Sequence, residues 1–196
     1  MRISPLGIAA HNLAPDHVAE MARLDSALTH PHIVCQESCA VYTVAIANAI
    51  ASGGAPPDVY RETLAWARRG CRAPEVLEGI EMAATQPPAD YLHHQGWVLV
   101  ALQNAFYQIL HAPSLKEGVV DTVCRGGDTD TNAAIAGALL GAVHGRDAIP
   151  AQWRQMILTC RPIDGLAAVR HPRRRFLWPV DALELAERLL LAWAAD

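Results

Sequence analysis

The amino-acid sequence predicts an all-α fold on three observations. Apolar residues recur at spacings of three and four through most of the chain, Pro and Gly punctuate the segments where hairpin turns would otherwise stand, and no stretch alternates as a strand does. With 196 residues, 52% of them hydrophobic and 18% charged, the chain suits one substantial core and is too short for two ordinary domains. A single domain over residues 1–196 is therefore expected.

Pro15 and Asp16 open a first helix to Leu28. Val34, Val41, Tyr42, Ala45, Ile46, Ala49 and Ile50 share one helical face, and Gly53-Gly54 stops that run, which predicts a long and mostly buried helix. Pro56-Pro57-Asp58 starts the next helix, ending before Gly70, and Pro74-Glu75 starts a short one to about Ala84. Val98, Leu99, Ala101, Leu102, Ala105, Phe106, Ile109 and Leu110 predict a core helix between Gly96 and Leu110, with Pro113 beyond it. Ser114-x-x-Glu117 has the form of a capping box for a helix to Cys124. A helix over Ala133 to Val143 follows, then one from Pro150 to Thr159 and a last one from Asp181, with Leu183, Ala186, Leu190 and Trp193 on one face. Ala133, Gly137, Gly141 and Gly145 form a stripe on the 133–143 helix. Glycine inside a helix costs about 1 kcal/mol relative to alanine, so the stripe predicts close approach of a neighbouring helix.

Sixteen Lys and Arg against 20 Asp and Glu give a formal charge of −4, which argues against a nucleic-acid or anionic-membrane partner held by bulk electrostatics. The Arg170 to Arg175 segment reads as a solvated basic loop. The longest weakly polar stretch is taken as Ala133 to Val143, well short of the roughly 20 residues that cross a bilayer. Met1 to Leu13 lacks an apolar run followed by a small-residue cleavage signature, so secretion is not expected. Cys35, Cys39, Cys71, Cys124 and Cys160 are odd in number and form no C-x-x-C pair, which fits a reduced cytoplasmic setting. Cys35 and Cys39 read as small core hydrophobes.

Chemistry concentrates in Gly126-Gly127-Asp128-Thr129-Asp130-Thr131-Asn132. Two glycines allow unusual backbone angles, and Asp128, Asp130 and Thr131 can aim oxygens at one point, as Mg²⁺, Mn²⁺ or Ca²⁺ require. The same residues also suit ordinary helix capping. Three side chains fall short of the six or more oxygens such ions take. His30 and His32, in the Thr29-His30-Pro31-His32 junction, can bind a ligand, cap a helix or, less readily, hold a transition metal. His93-His94 reads as exposed loop.

The segment GGDTDTNAAIAGALLGAVHG closely resembles the C-terminal signature of the ADP-ribosylglycohydrolase family. LTHPHIVCQESCAVYTVAIANAI, the Gln95-Gly96-Trp97 loop and the MRISPLGI opening extend that likeness in order along nearly the whole chain. The resemblance implies a compact multi-helix fold, two Mg²⁺ or Mn²⁺ ions among its helices, and hydrolysis of the glycosidic bond in an ADP-ribosylated protein side chain or a small ADP-ribose conjugate. It implies that Asp128, Asp130 and Thr131 are metal ligands, that His30 helps hold the ADP-ribose phosphates, and that Gly96 with Trp97 lies beside the nucleotide.

Family members of full length also carry an N-terminal acidic Gly-Asp segment and a Thr-Asp-Asp-Thr motif, neither of which occurs here. The expectation is a partial domain lacking that N-terminal part, with no catalytic residue assigned. It is either one portion of a glycohydrolase whose first half is lost or supplied by another chain, or a remnant keeping weak ADP-ribose or metal binding. A general metal-dependent hydrolase is a third reading. Exposed apolar surface and self-association are expected to accompany a missing half.

Overall fold

Prolines open helices where the sequence places them, because a proline at the first helical position forfeits only an N–H that has no partner there. In the computed structural model, which describes residues 1–193, α2 (Pro15–Ala27), α4 (Pro56–Gly70) and α5 (Pro74–Met82) all begin this way. In α1 (Ser4–Ala9), a six-residue helix that the sequence reading leaves unassigned, Pro5 takes the second position. The others are α3 (Ile33–Ser52), α6 (Val98–His111), α7 (Leu115–Cys124), α8 (Thr129–His144), α9 (Ala151–Leu158) and α10 (Ala182–Leu191). No strand occurs among the described residues, so the fold is all-α as expected.

The core lies where α3, α6 and α8 meet, with α2 and α1 against one side of α3 and α4, α5 and α7 around the rest. Val41, Ala45 and Ile46 of α3, Ala105 and Phe106 of α6, and Ala136, Leu139 and Leu140 of α8 are all buried. Phe106 meets Tyr60 edge-on with ring centroids 6.2 Å apart. Tyr42 donates its phenol O–H to the Ile135 carbonyl at 2.9 Å, fixing α8 against α3. Ser114 caps α7 as expected, accepting the Glu117 N–H at 3.3 Å.

Two expectations need correction. The longest apolar segment is α3 and not Ala133 to Val143: its 20 residues are long and apolar enough to cross a membrane. Yet 67% of its most apolar 18-residue window is buried inside the protein, and Glu37 of the same helix pairs with Arg23 of α2, which is how a core helix is built. The glycine stripe also fails to act as predicted. A Cβ on Gly137 would make only ordinary contact, 3.5 Å from Val119, and one on Gly141 or Gly145 would meet nothing within 4 Å. Close approach comes instead from Gly118 of α7, where a Cβ would stand 2.7 Å from a Leu140 methyl.

None of residues 146–193 is fully buried, although Ile149 and Trp153 pack against the core. Neither α9 nor α10 buries a residue, and Met156, Phe176, Leu177 and Leu191 are exposed. The basic 170–175 loop is surface, as expected.

Candidate functional site

Two glycines bring separate loops together. Gly126 and Gly127 both adopt left-handed backbone angles, with φ of 81° and 72°, which only glycine takes without strain. Gly127 has a second reason to lack a side chain: a Cβ there would stand 1.9 Å from the Tyr91 carbonyl oxygen. The 126–128 turn is thus pressed on the loop that leads to α6. Gly96, also left-handed at φ 77°, completes the contact, since its Cβ would lie 3.8 Å from Asp128 Oδ2.

That loop is shaped by Asp90, whose Oδ1 accepts the N–H groups of Leu92 and His93 at 2.8 and 3.0 Å. Its Oδ2 meets His93 Nδ1 at 2.7 Å. These bonds, the His93 N–H foremost, hold the Asp90 carboxyl down to about 2. His93 is exposed loop, as expected.

Asp128 takes the N-cap position of α8, while Asp130 and Thr131 fall in its first turn, so the helix begins four residues earlier than the 133–143 reading. The capping alternative is met only in position, because the Asp128 side chain makes no capping hydrogen bond. Asp130 Oδ1 accepts the Thr131 N–H at 2.9 Å. Hydrogen bonding with the neighbouring Asp128 carboxyl, then with that N–H, holds the Asp130 carboxyl below the usual range. Asp128 is half-buried and Asp130 exposed.

A cleft of about 590 Å³ opens beside this turn, and His30, Gly96, Trp97 and Thr131 all line it. His30 is exposed, its Nδ1 2.9 Å from Thr29 Oγ1. His32 instead caps α3, its Nδ1 accepting the Val34 N–H at 3.3 Å. It also meets the Trp97 ring edge-on at 6.5 Å. Trp97 itself is 41% exposed, leaving ring surface for a ligand.

Sequence reasoning missed other walls of the cleft, namely Arg2, Asp25 and Ser26. Arg2 donates to the Asp25 backbone carbonyl at 2.7 Å and to its carboxylate at 3.3 Å, so α1 is tied to the end of α2. No motif marks these residues. Cys35 and Cys39 are only partly buried and also line the cleft; Cys39 packs against the core as its reading expects, while the reading of Cys35 as a core hydrophobe is corrected. Burial pushes both thiols up.

The donors near Asp128 suit a hard divalent cation in kind. Two adjacent carboxylates and a hydroxyl supply only oxygen, and Asp128 has no capping bond to give up. In number they fall short: among the described residues no three His, Cys, Asp or Glu side chains converge on one point. Remaining ligands for such an ion would be water or residues outside this set.

An all-helical core with a Gly-Gly-Asp-Thr-Asp-Thr turn opening one of its central helices defines a class. The ADP-ribosylglycohydrolase family model matches residues 1–191, and the chain belongs to that family. It is 29% identical over 92 residues to the ADP-ribosyl-[dinitrogen reductase] glycohydrolase of Rhodospirillum rubrum, covering 40% of this chain and 31% of that protein. It is 40% identical over 58 residues to human ADP-ribosylhydrolase ARH3, covering 30% and 16% respectively. It is 27% identical over 128 residues to ADP-ribosylarginine hydrolase Tri1 of Pseudomonas putida (strain GB-1), covering 65% and 34%. The chain spans about a third or less of the length of these relatives.

Proposed function

We propose that this chain contributes an ADP-ribose-binding cleft and part of a divalent-cation site to an ADP-ribosylglycohydrolase. The substrate is an ADP-ribosylated protein side chain or a small ADP-ribose conjugate. The observation that carries this is convergence: His30, Gly96 with Trp97, and Thr131 are distant in sequence and line one cleft.

In this reading Asp128, Asp130 and Thr131 hold Mg²⁺ or Mn²⁺, one of a pair in a complete site. The bound metal supplies positive charge where the glycosidic bond breaks and orients ribose hydroxyls. His30, exposed at the rim, donates to the phosphates. Trp97 offers an aromatic surface to the nucleotide, and Gly96, with its left-handed backbone, turns that loop beside Asp128. The five free thiols support a reduced cytoplasmic setting.

A second reading, binding without turnover, is favoured because no third His, Cys, Asp or Glu side chain converges there among the described residues. Calorimetry with ADP-ribose and Mn²⁺ tests the shared claim. Weak binding is expected, lowered about tenfold or more by Asp128→Ala, together with little hydrolysis of ADP-ribosyl-arginine. Equal affinity in the variant would remove Asp128 from the site. Robust turnover abolished by Asp128→Ala would instead show that this chain completes its own ligand set.

Apolar side chains exposed on α9, α10 and the segment between them support self-association or docking of a complementary chain. Sedimentation velocity is expected to show a coefficient rising with concentration. A single compact monomer at every concentration would contradict this.

A further inference from the structure

One cation near the site lies outside the cleft and keeps only 26% of its side chain exposed. The Arg125 guanidinium lies 5.6 Å from the Tyr91 ring centroid and 5.5 Å from that of Tyr107, within cation–π range of both. Its Nε and Nη2 donate to the two Asp121 oxygens at 2.7 and 3.3 Å. Asp121 is held in turn by Gln108 Nε2.

Tyr91 is fixed from its other end. Its phenol donates to Asn104 Oδ1 at 2.8 Å, and Asn104, fully buried, donates to Thr122 Oγ1 at 3.0 Å. Burial pushes the Tyr91 phenol up to about 12, so it stays a neutral donor throughout the physiological range. The backbone of this tyrosine is the surface against which Gly127 packs. Arg125 therefore joins α6, α7 and the Tyr91 loop immediately before the chain turns through Gly126 and Gly127 to Asp128.

We propose that Arg125, clamped between Tyr91 and Tyr107, is a positioning residue that sets Asp128 against the Gly96-Trp97 loop. This rests on the reading of Asp128 as a cation ligand, but the clamp itself is a statement about geometry. Lysine would keep the charge and lose both the planar stack and the paired bonds to Asp121.

Hydrogen exchange and Mn²⁺ binding, read by electron paramagnetic resonance on the full chain, test it together. With Arg125→Lys, amides in residues 92–97 and 126–132 are expected to exchange about tenfold faster while α2 and α3 keep their protection. Mn²⁺ affinity is expected to fall about tenfold, as for other groups that orient ligands. Tyr107→Leu, which removes one face of the clamp, should reproduce both effects, and Tyr107→Phe, which keeps the ring, should restore wild-type behaviour. Unchanged loop exchange in Arg125→Lys and Tyr107→Leu would overturn the clamp, whatever happens to Mn²⁺. Absence of Mn²⁺ binding in the wild type would overturn the cation reading, and the exchange rates would still decide the clamp.

Discussion

Gly127→Ala is expected to abolish cation and ADP-ribose binding while leaving most helical content in place. Its backbone, at φ 72°, alone imposes roughly 1–3 kcal/mol of strain on alanine. The larger problem is contact: the new Cβ would stand 1.9 Å from the Tyr91 carbonyl oxygen. A backbone atom cannot rotate away, so one of the two loops must move, and either movement separates Asp128 from Gly96. Gly126→Ala is the informative control. It shares the left-handed backbone, but its Cβ would meet the flexible end of Leu92 at 3.2 Å, which can yield. Calorimetry and far-ultraviolet circular dichroism should show lost binding with retained helicity for Gly127→Ala and a milder defect for Gly126→Ala. Normal binding by Gly127→Ala would mean that the contact between the two loops does not govern the site.

Glu37→Ala is expected to cost about 3–5 kcal/mol of stability, a large share of what a domain this size commands. Glu37 is fully buried in α3 and receives two bonds from Arg23 of α2, at 2.7 and 3.0 Å. Arg23, itself 6% exposed, also donates to the Gly70 carbonyl at the end of α4 at 3.0 Å. The Glu37 hydrogen bond is the main influence raising the Arg23 guanidinium further above its ordinary range. Truncating Glu37 leaves that buried charge, for a counter-ion, with only the longer contact to the half-exposed Glu20 carboxylate at 3.4 Å. Replacing both partners by apolar residues, as in Arg23→Met with Glu37→Leu, should recover most of the loss, with a residual deficit from the Gly70 carbonyl losing its donor. Urea denaturation distinguishes these cases. A Glu37→Ala midpoint close to wild type would show that the pair contributes little.

Helix starts were legible because Pro15, Pro56 and Pro74 act locally: each preorganises its own turn, independent of what packs nearby. The helix α1 was not, since Ser4 to Ala9 is too short to display a period. The Gly137 and Gly141 spacing identified a face of α8 but not what that face meets, and the close approach lay with Gly118 on the neighbouring helix. Arg and Glu ordinarily lie at the surface, so Arg23 and Glu37 carry no local sign of burial. Only the packing of α2 on α3 makes them an interior pair. At the site, the Gly126 to Asn132 turn announced itself through residue types, and the family likeness directed attention to His30 and Trp97. Arg2, Asp25 and Arg125 carry no comparable signal, because their positions follow from tertiary contacts that no local spacing encodes.

The cleft draws its walls from four separate stretches of chain, among them the α2–α3 junction at His30 and the start of α8 at Thr131. A molecule touching both acts as a noncovalent staple across a gap in sequence of nearly the whole central chain. By linkage, ligand at a hundred times its dissociation constant adds about 2.7 kcal/mol to the folded state. Melting temperature is then a gauge of occupancy, readable without any turnover.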